Sequence, residues 1–296
     1  MSRLRLLRSA DGQASAIFAL AAVTVFSVAS LSLDAGRAYV ATQQIKSAAD
    51  SAALAGAQNL PGDPGDAASV AVSTAEQNGI AAGDVTVSLS RQDTVITVTT
   101  HREVPFYFAP LFGVDSGSFT QTSAAQVGPI DAMTGVVPLG VFWQDFAFGQ
   151  TYTLKVGSGD GSDGNYGALA LGGNGASTYE QNLQDGYPTE LTAGQTVSTE
   201  TGNMVGPTQS GLSTRVAAGQ GYTWQTVPLD NPAVVYVPVV TPPGSGKDQV
   251  TVVGFAAFFL TQASAGSVQG VFLDTVTTGQ FGSGTNYGLQ AERLIE

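Results

Sequence analysis

Few residues in this chain are able to do chemistry, and their spacing decides which chemistry that is. The single histidine, His101, stands beside Arg102 and Glu103. An imidazole next to a carboxylate is a common proton-transfer pair. A lone histidine at the end of a strand, however, reads first as a solvent-facing residue. Residues 160–165, Asp-Gly-Ser-Asp-Gly-Asn, offer the hard oxygen donors that calcium takes. Their spacing breaks the alternating-acid pattern of a calcium loop, so a glycine–aspartate turn is the better reading. Asp34 and Arg37 lie one helical turn apart, a spacing that pairs charges on a helix surface. Interfacial anchoring by Arg37 and Tyr39 accounts for them without catalysis. Two turn-rich segments, 172–175 and 200–208, are candidates to line a groove but carry no reactive set. Cysteine is absent, which excludes disulfides, thiolate metal sites and cysteine nucleophiles. The sequence contains no His-Glu-x-x-His, Gly-x-Ser-x-Gly or Gly-x-x-x-x-Gly-Lys motif. No catalytic, cofactor-binding or metal-binding residue is assigned on this reading, and the protein is expected to be non-enzymatic.

The elements that carry these residues begin with an unusual N-terminus. Arg3, Arg5 and Arg8 precede a stretch without charge from Gly12 to Leu33. At 1.5 Å per helical residue, about 20 residues cross a hydrocarbon core of about 30 Å. The bias of basic residues toward the N-terminal side places that end in the cytoplasm and the remainder outside. A cleaved secretory signal is the competing reading, but its apolar region is shorter, roughly 7–15 residues. The expected arrangement is a cytoplasmic tail (1–13), a transmembrane helix (14–33), a helical stalk with a small α+β unit (34–128) and a β-rich extracytoplasmic domain (129–296). This makes a single-pass protein of the cell (inner, cytoplasmic) membrane, with membrane lipid as its first partner.

Composition supports the same division. Only 11% of residues are charged, the net charge is −12, and there are 37 glycines. An acidic exterior excludes charge-driven binding of nucleic acid. Beyond residue 80, Thr, Ser, Val and Gly dominate, which favours strands and tight turns.

The helical pattern continues past the membrane to about residue 58, with no proline before Pro61. Ala48, Ala52 and Gly56 recur every four residues, as do Ala49, Ala53 and Ala57. A small-residue face of this kind lets another backbone approach closely. It packs either on the protein's own sheet or on a partner helix in an assembly.

The order of these motifs is distinctive. A basic tail is followed by Asp11-Gly12-Gln13-Ala14 and the apolar run. Next come Leu33-Asp34-Ala35-Gly36-Arg37-Ala38-Tyr39 and the alanine-rich stretch from Gln43 to Ala57. It resembles the N-terminal segment of the TadE/TadG-like proteins of Flp (tight-adherence) pilus assembly, over roughly residues 9–60. The resemblance implies a membrane-anchored accessory or structural protein of pilus assembly or surface adhesion. It also implies partners among other pilus-assembly or envelope proteins, met through the small-residue helix face. Two departures stand out. Processed pilin-like proteins carry a glutamate five residues after the cleavage-site glycine, whereas Ile17 stands at that distance from Gly12. Some larger TadG relatives carry an Asp-x-Ser-x-Ser metal site, whereas Asp115-Ser116-Gly117-Ser118 has the wrong spacing. The alternatives are an envelope hydrolase with its site in the β-rich domain, or a processed minor pilin.

For the exported part, a short helix is expected over about residues 67–78, capped by Asp66 and stopped by Gly79. Strands 85–90 and 94–100 alternate in period two around Arg91-Gln92-Asp93 and form a hairpin. Residues 104–114, VPFYFAPLFGV, form an aromatic insert before a third strand at 118–128. By shape this unit resembles a pilin-like headpiece. A boundary near 129–136 then leads to a compact barrel or sandwich, expected to fold without the helix. Its strands are interrupted by helices near 177–185 and 207–217, and residues 249–262 form a buried central strand rather than a second membrane span.

Overall fold

In the computed structural model, which describes residues 10–142, 146–155, 166–200, 204–241, 249–264 and 266–295, the chain begins with one helix of 48 residues, α1 (Ala10–Ala57). At 1.5 Å per residue it is about 70 Å long. Its two halves meet different surroundings. The apolar window near the N-terminus has a mean hydropathy of 2.2 and is 0% buried by protein. Ile17, Phe18, Leu20 and Phe26 all point outward. From Ala41 onward one side of the same helix is buried, through Ile45, Ala48, Ala49, Ala52, Ala53 and Ala57. The arginines at positions 3, 5 and 8 lie outside the described residues.

Helix α2 (Pro64–Gln77) starts three residues earlier than a cap at Asp66 would set it, because Asp63 is the cap: its Oδ1 accepts the Asp66 N–H at 3.1 Å. Proline at the first helical position suits this start. Its Ala67, Ala71 and Ala75 recur every four residues and are buried. They lie against the small-residue face of α1. A Cβ on Gly56 would stand 2.5 Å from Ile96 Cδ1, 2.9 Å from the Ala67 carbonyl and 3.1 Å from Ala71 Cβ. The expectation that this face meets partner proteins is therefore corrected: α2 and the sheet already occupy it.

The strands follow as β1 (Val85–Ser90), β2 (Val95–Pro105), β3 (Ser116–Met133), β4 (Leu139–Phe142), β5 (Thr151–Lys155) and β6 (Tyr166–Ala168). Helix α3 (Ala176–Asp185), β7 (Leu191–Thr192), β8 (Thr196–Ser198) and helix α4 (Val205–Ala218) come next. The chain closes with β9 (Val234–Val240), β10 (Gln249–Ser264), β11 (Ser267–Leu273), β12 (Thr275–Val276), β13 (Gln280–Phe281) and β14 (Leu289–Ile295). The first sheet has the order β1-β2-β3-β14-β12, with β7 and β13 also on β3. The second runs β5-β11-β10-β9-β4-β6, with β8 added to β10.

Helices α1 and α2 cover one face of the first sheet, where Ile45 and the alanines meet Ile96, Val98, Ala125 and Val127. Polar groups fix the seating. Thr100 donates its hydroxyl to the Ile45 carbonyl at 3.1 Å, and Lys46 pairs with Asp50 at 2.7 Å. The central strands of the second sheet are buried on both faces, which explains their unbroken apolar runs. Phe255, Ala257 and Phe259 join the core shared with Ile130, Met133, Leu289 and Ala291 of the first sheet. Ala256, Phe258 and Leu260 alternate to the other side, under Tyr179 and Leu183 of α3 and Leu212 of α4.

The boundary expected at residue 129 falls inside β3, which continues to Met133. The C-terminal strand β14 then returns to the first sheet, with Gln290 opposite Pro129 and Ile295 opposite Ala124. A fragment starting near residue 130 leaves β14 without its β3 partner, so the second sheet is not the self-contained barrel or sandwich that its strand pattern suggests.

Two predictions follow from this packing. Gly56→Leu has no free volume to enter and is expected to destabilise the folded chain by about 1–3 kcal/mol. A thermal melt of the detergent-solubilised protein that matched the parent would show that the α1–α2 contact yields freely. The second concerns Asp274, where the chain crosses from β11 to β12. Partial burial pushes its carboxyl up to about 6, despite a hydrogen bond from Gln290. Burial likewise raises Glu292, which accepts from Gln58. A raised carboxyl binds more protons folded than unfolded, so its contribution favours the fold as pH falls through about 6 and is lost above that. Asp274→Asn should therefore raise the melting temperature near pH 7.5 and flatten its rise on acidification to about pH 5. Identical pH profiles for parent and variant would remove Asp274 from this role.

Candidate functional site

The most elaborated polar site stands where α1 leaves its apolar half. Asp34 is 3% exposed, although its neighbours Leu33 and Ala35 on the helix are open. Its carboxylate accepts three backbone N–H bonds from the loop between β2 and β3. Tyr107 donates to Oδ1 at 2.8 Å; Phe108 and Ala109 donate to Oδ2 at 2.9 and 2.7 Å. These donors are free because the loop turns into a 3₁₀ segment at Ala109–Phe112, whose first N–H groups have no partner of their own. A carboxylate is the strongest acceptor a side chain offers such a cluster. The Arg37 guanidinium lies 3.9 Å from the Tyr107 ring centroid, a cation–π contact. Asp34 and Arg37, expected as a pair on one helix, thus both reach across to the hairpin tip. Tyr39 points outward on the helix.

Grooves flank α1 on both sides of this junction. One, of about 520 Å³, lies between Val28 and Leu31 of α1 and Phe112 and Val114 of the tip. The other, of about 630 Å³, lies between Leu33 and Val40 of α1 and Val104 and Pro105 of β2. Arg102 closes its outer end: its guanidinium donates to the Gly79 carbonyl, and to Gln44 Oε1 at 3.5 Å.

The structure draws His101 into an arrangement that the sequence reading missed. Its Nε2 is 2.8 Å from Ser118 Oγ and its Nδ1 is 3.5 Å from Asp84 Oδ1. The order carboxylate–imidazole–hydroxyl is the one that activates a serine. The trio stands on open surface, with the His101 and Asp84 side chains 42% and 47% exposed. Acyl transfer also asks for preorganised oxyanion donors in a site closed to water. The β2–β3 register, which sets Glu103 opposite Ser118 and His101 opposite Thr120, brings the hydroxyl near the ring, and the β1–β2 register, with Val85 opposite Thr100, brings Asp84 to it.

The other described candidates make local hydrogen bonds. Asp115 begins the return from the tip, and Ser116 donates its hydroxyl to Glu103 Oε1 at 2.5 Å. Segments 172–175 and 200–208 do meet, as the Gly175 N–H is shared by both carboxylate oxygens of Glu200 at 3.1 Å. That carboxylate caps the N-terminus of α3, which has no side-chain cap of its own. Residues 160–165 and 201–203 lie outside the described residues. Among the described residues, no group of three or more His, Cys, Asp or Glu side chains gathers as a metal site would require.

Removing the Asp34 carboxylate is expected to free the hairpin tip. In Asp34→Ala, the amides of Tyr107, Phe108 and Ala109 should lose their hydrogen-exchange protection while those of β1 keep theirs. Asp34→Asn, which retains one acceptor oxygen, should fall between. Unchanged protection at all three amides would show that the tip is held by its apolar contacts alone.

Comparison with known proteins locates this junction within a family segment. Residues 12–59 match the family model described as Putative Flp pilus-assembly TadE/G-like. No curated protein and no solved structure matches the chain. The matched stretch runs along α1 from its apolar half, through Asp34 and the small-residue face, to the linker before α2. Over this N-terminal segment, and not over the sheets that follow, the chain is similar to the TadE/G-like proteins of Flp pilus assembly.

Proposed function

We propose that this chain is a membrane-anchored, non-catalytic accessory protein of Flp (tight-adherence) pilus assembly. In this reading α1 crosses the cytoplasmic membrane with its N-terminus inside, and both sheets stand on the extracytoplasmic side. The observation that carries it is the family match at residues 12–59, which falls on α1, whose apolar half has no protein cover. The seating of the helix's outer half on an antiparallel sheet supports a pilin-like headpiece. Polar groups in the headpiece hold loops and caps: Asp34 the hairpin tip, Glu200 the start of α3. Its role is that of an envelope component that docks with other assembly proteins through surfaces other than the alanine face, which α2 covers.

One experiment tests role and chemistry together. In the source strain, deleting the gene should abolish pilus display, and the full chain should restore it. A Ser118→Ala chain should restore it equally well. A reporter fused after residue 60 should be active only outside the cytoplasm, and replacing Arg3, Arg5 and Arg8 with glutamate should weaken that export. Loss of pili with Ser118→Ala in a normally folded protein would favour a hydrolase instead. Pili unaffected by deletion would end the assembly reading.

A further inference from the structure

The hairpin tip presents apolar side chains where a soluble loop would carry polar ones. Leu111, Phe112 and Tyr107 are 81%, 73% and 68% exposed. No charged residue occurs between Glu103 and Asp115, so the tip is charge-free and an acid bounds it at each end. The tip is also fixed in height. Asp34 binds its backbone through three N–H groups, so it cannot swing away from α1 without losing them. The apolar groove continues this surface downward, with Phe112 and Val114 facing Leu31 and Val28. Val28 lies six residues before Asp34, which at helical rise is about 9 Å. Side chains that share a groove with Val28 and Leu31 therefore reach the depth of the headgroup–acyl boundary, about 5–10 Å into a leaflet.

We propose that the β2–β3 hairpin tip is a second membrane contact: Leu111 and Phe112 enter the same leaflet that α1 leaves, and lipid acyl chains fill the groove between tip and helix. The proposal rests on the reading of α1 as a membrane anchor. Lipid is favoured as occupant because the groove is continuous with the uncovered apolar surface of α1. The polar fittings sit at the level where headgroups begin: Arg37 stacks on Tyr107, and Glu103 and Asp115 stay at the water side. Two contacts, a helix and a hairpin tip beside it, fix the rotation of the headpiece about the helix axis as well as its height above the membrane.

The absence of cysteine makes a direct test practical. Phe26→Cys, Leu111→Cys and Thr86→Cys chains, each labelled with an environment-sensitive nitrobenzoxadiazole fluorophore, are reconstituted into phosphatidylcholine vesicles. Position 26 reports the anchor, 111 the tip and 86 an exposed site on β1. Positions 26 and 111 should lose emission to lipids carrying a nitroxide on the acyl chain, with 111 responding best to a shallow nitroxide. Position 86 should lose emission only to aqueous iodide. If 26 is quenched by the lipid but 111 behaves like 86, the tip lies in water and this proposal fails while the anchor reading stands. If 111 is shielded from both quenchers, protein rather than lipid covers it, and the proposal fails. If position 26 itself is not quenched by the lipid, the anchor reading falls and the tip contact falls with it.

Discussion

One helix has to serve two surroundings, and the rest of the architecture is arranged around the point where it changes from one to the other. Before Asp34, α1 carries large apolar side chains that no protein covers. Beyond Ala41 it carries mostly alanine, with Ile45 the large exception, where it faces the chain's own core. Large residues in the outer half would hold α2 and the sheet at a distance. Small ones let the backbones close to van der Waals contact, as at Gly56, where even a methyl group has no room. Asp34 marks the change. A buried carboxylate is costly unless fully hydrogen-bonded, and the three hairpin amides meet that requirement.

Strand β3 extends this constraint through the molecule. It is 18 residues long, about 60 Å if fully extended. At its start it leaves the hairpin tip; in its middle Ala125 and Val127 lie in the core under α1. At its end Ile130 and Met133 enter the core beneath the second sheet. Strand β14 then pairs along its later half, so the C-terminus closes the sheet that the N-terminal helix covers. The second sheet is thus held to the first by shared core and by chain ends, not tethered by a linker.

What was legible in the sequence was what local pattern decides. The long helix, the β1–β2 hairpin, the helices at 176–185 and 205–218, and the twice-buried β9 and β10 each announce themselves through periodicity, caps or β-branched content. Long-range pairings stayed out of reach. Strand β14 reads LQAERLI, a composition with strong helix formers, and becomes a strand because β3 offers it an open edge. The partners of Asp34 are backbone amides 73 to 75 residues later, and backbone groups leave no trace in side-chain type. The signal that was available is an uncharged aromatic loop, of a length to reach back to a lone acid at the end of the apolar run. His101, Ser118 and Asp84 needed the strand register before they became neighbours.

The surviving signal and the missed one complement each other at the same place. Periodicity and hydropathy locate the helix but say nothing of its rotation, since every side of its apolar half reads alike. Tertiary bonds to Asp34 remove that freedom, because the tip must stand on the side of α1 that carries the carboxylate. Val28, Leu31, Asp34, Ala35 and Ala38 lie three and four apart along that side and line one groove. The stripe that faces the tip is therefore defined within the apolar half of the helix.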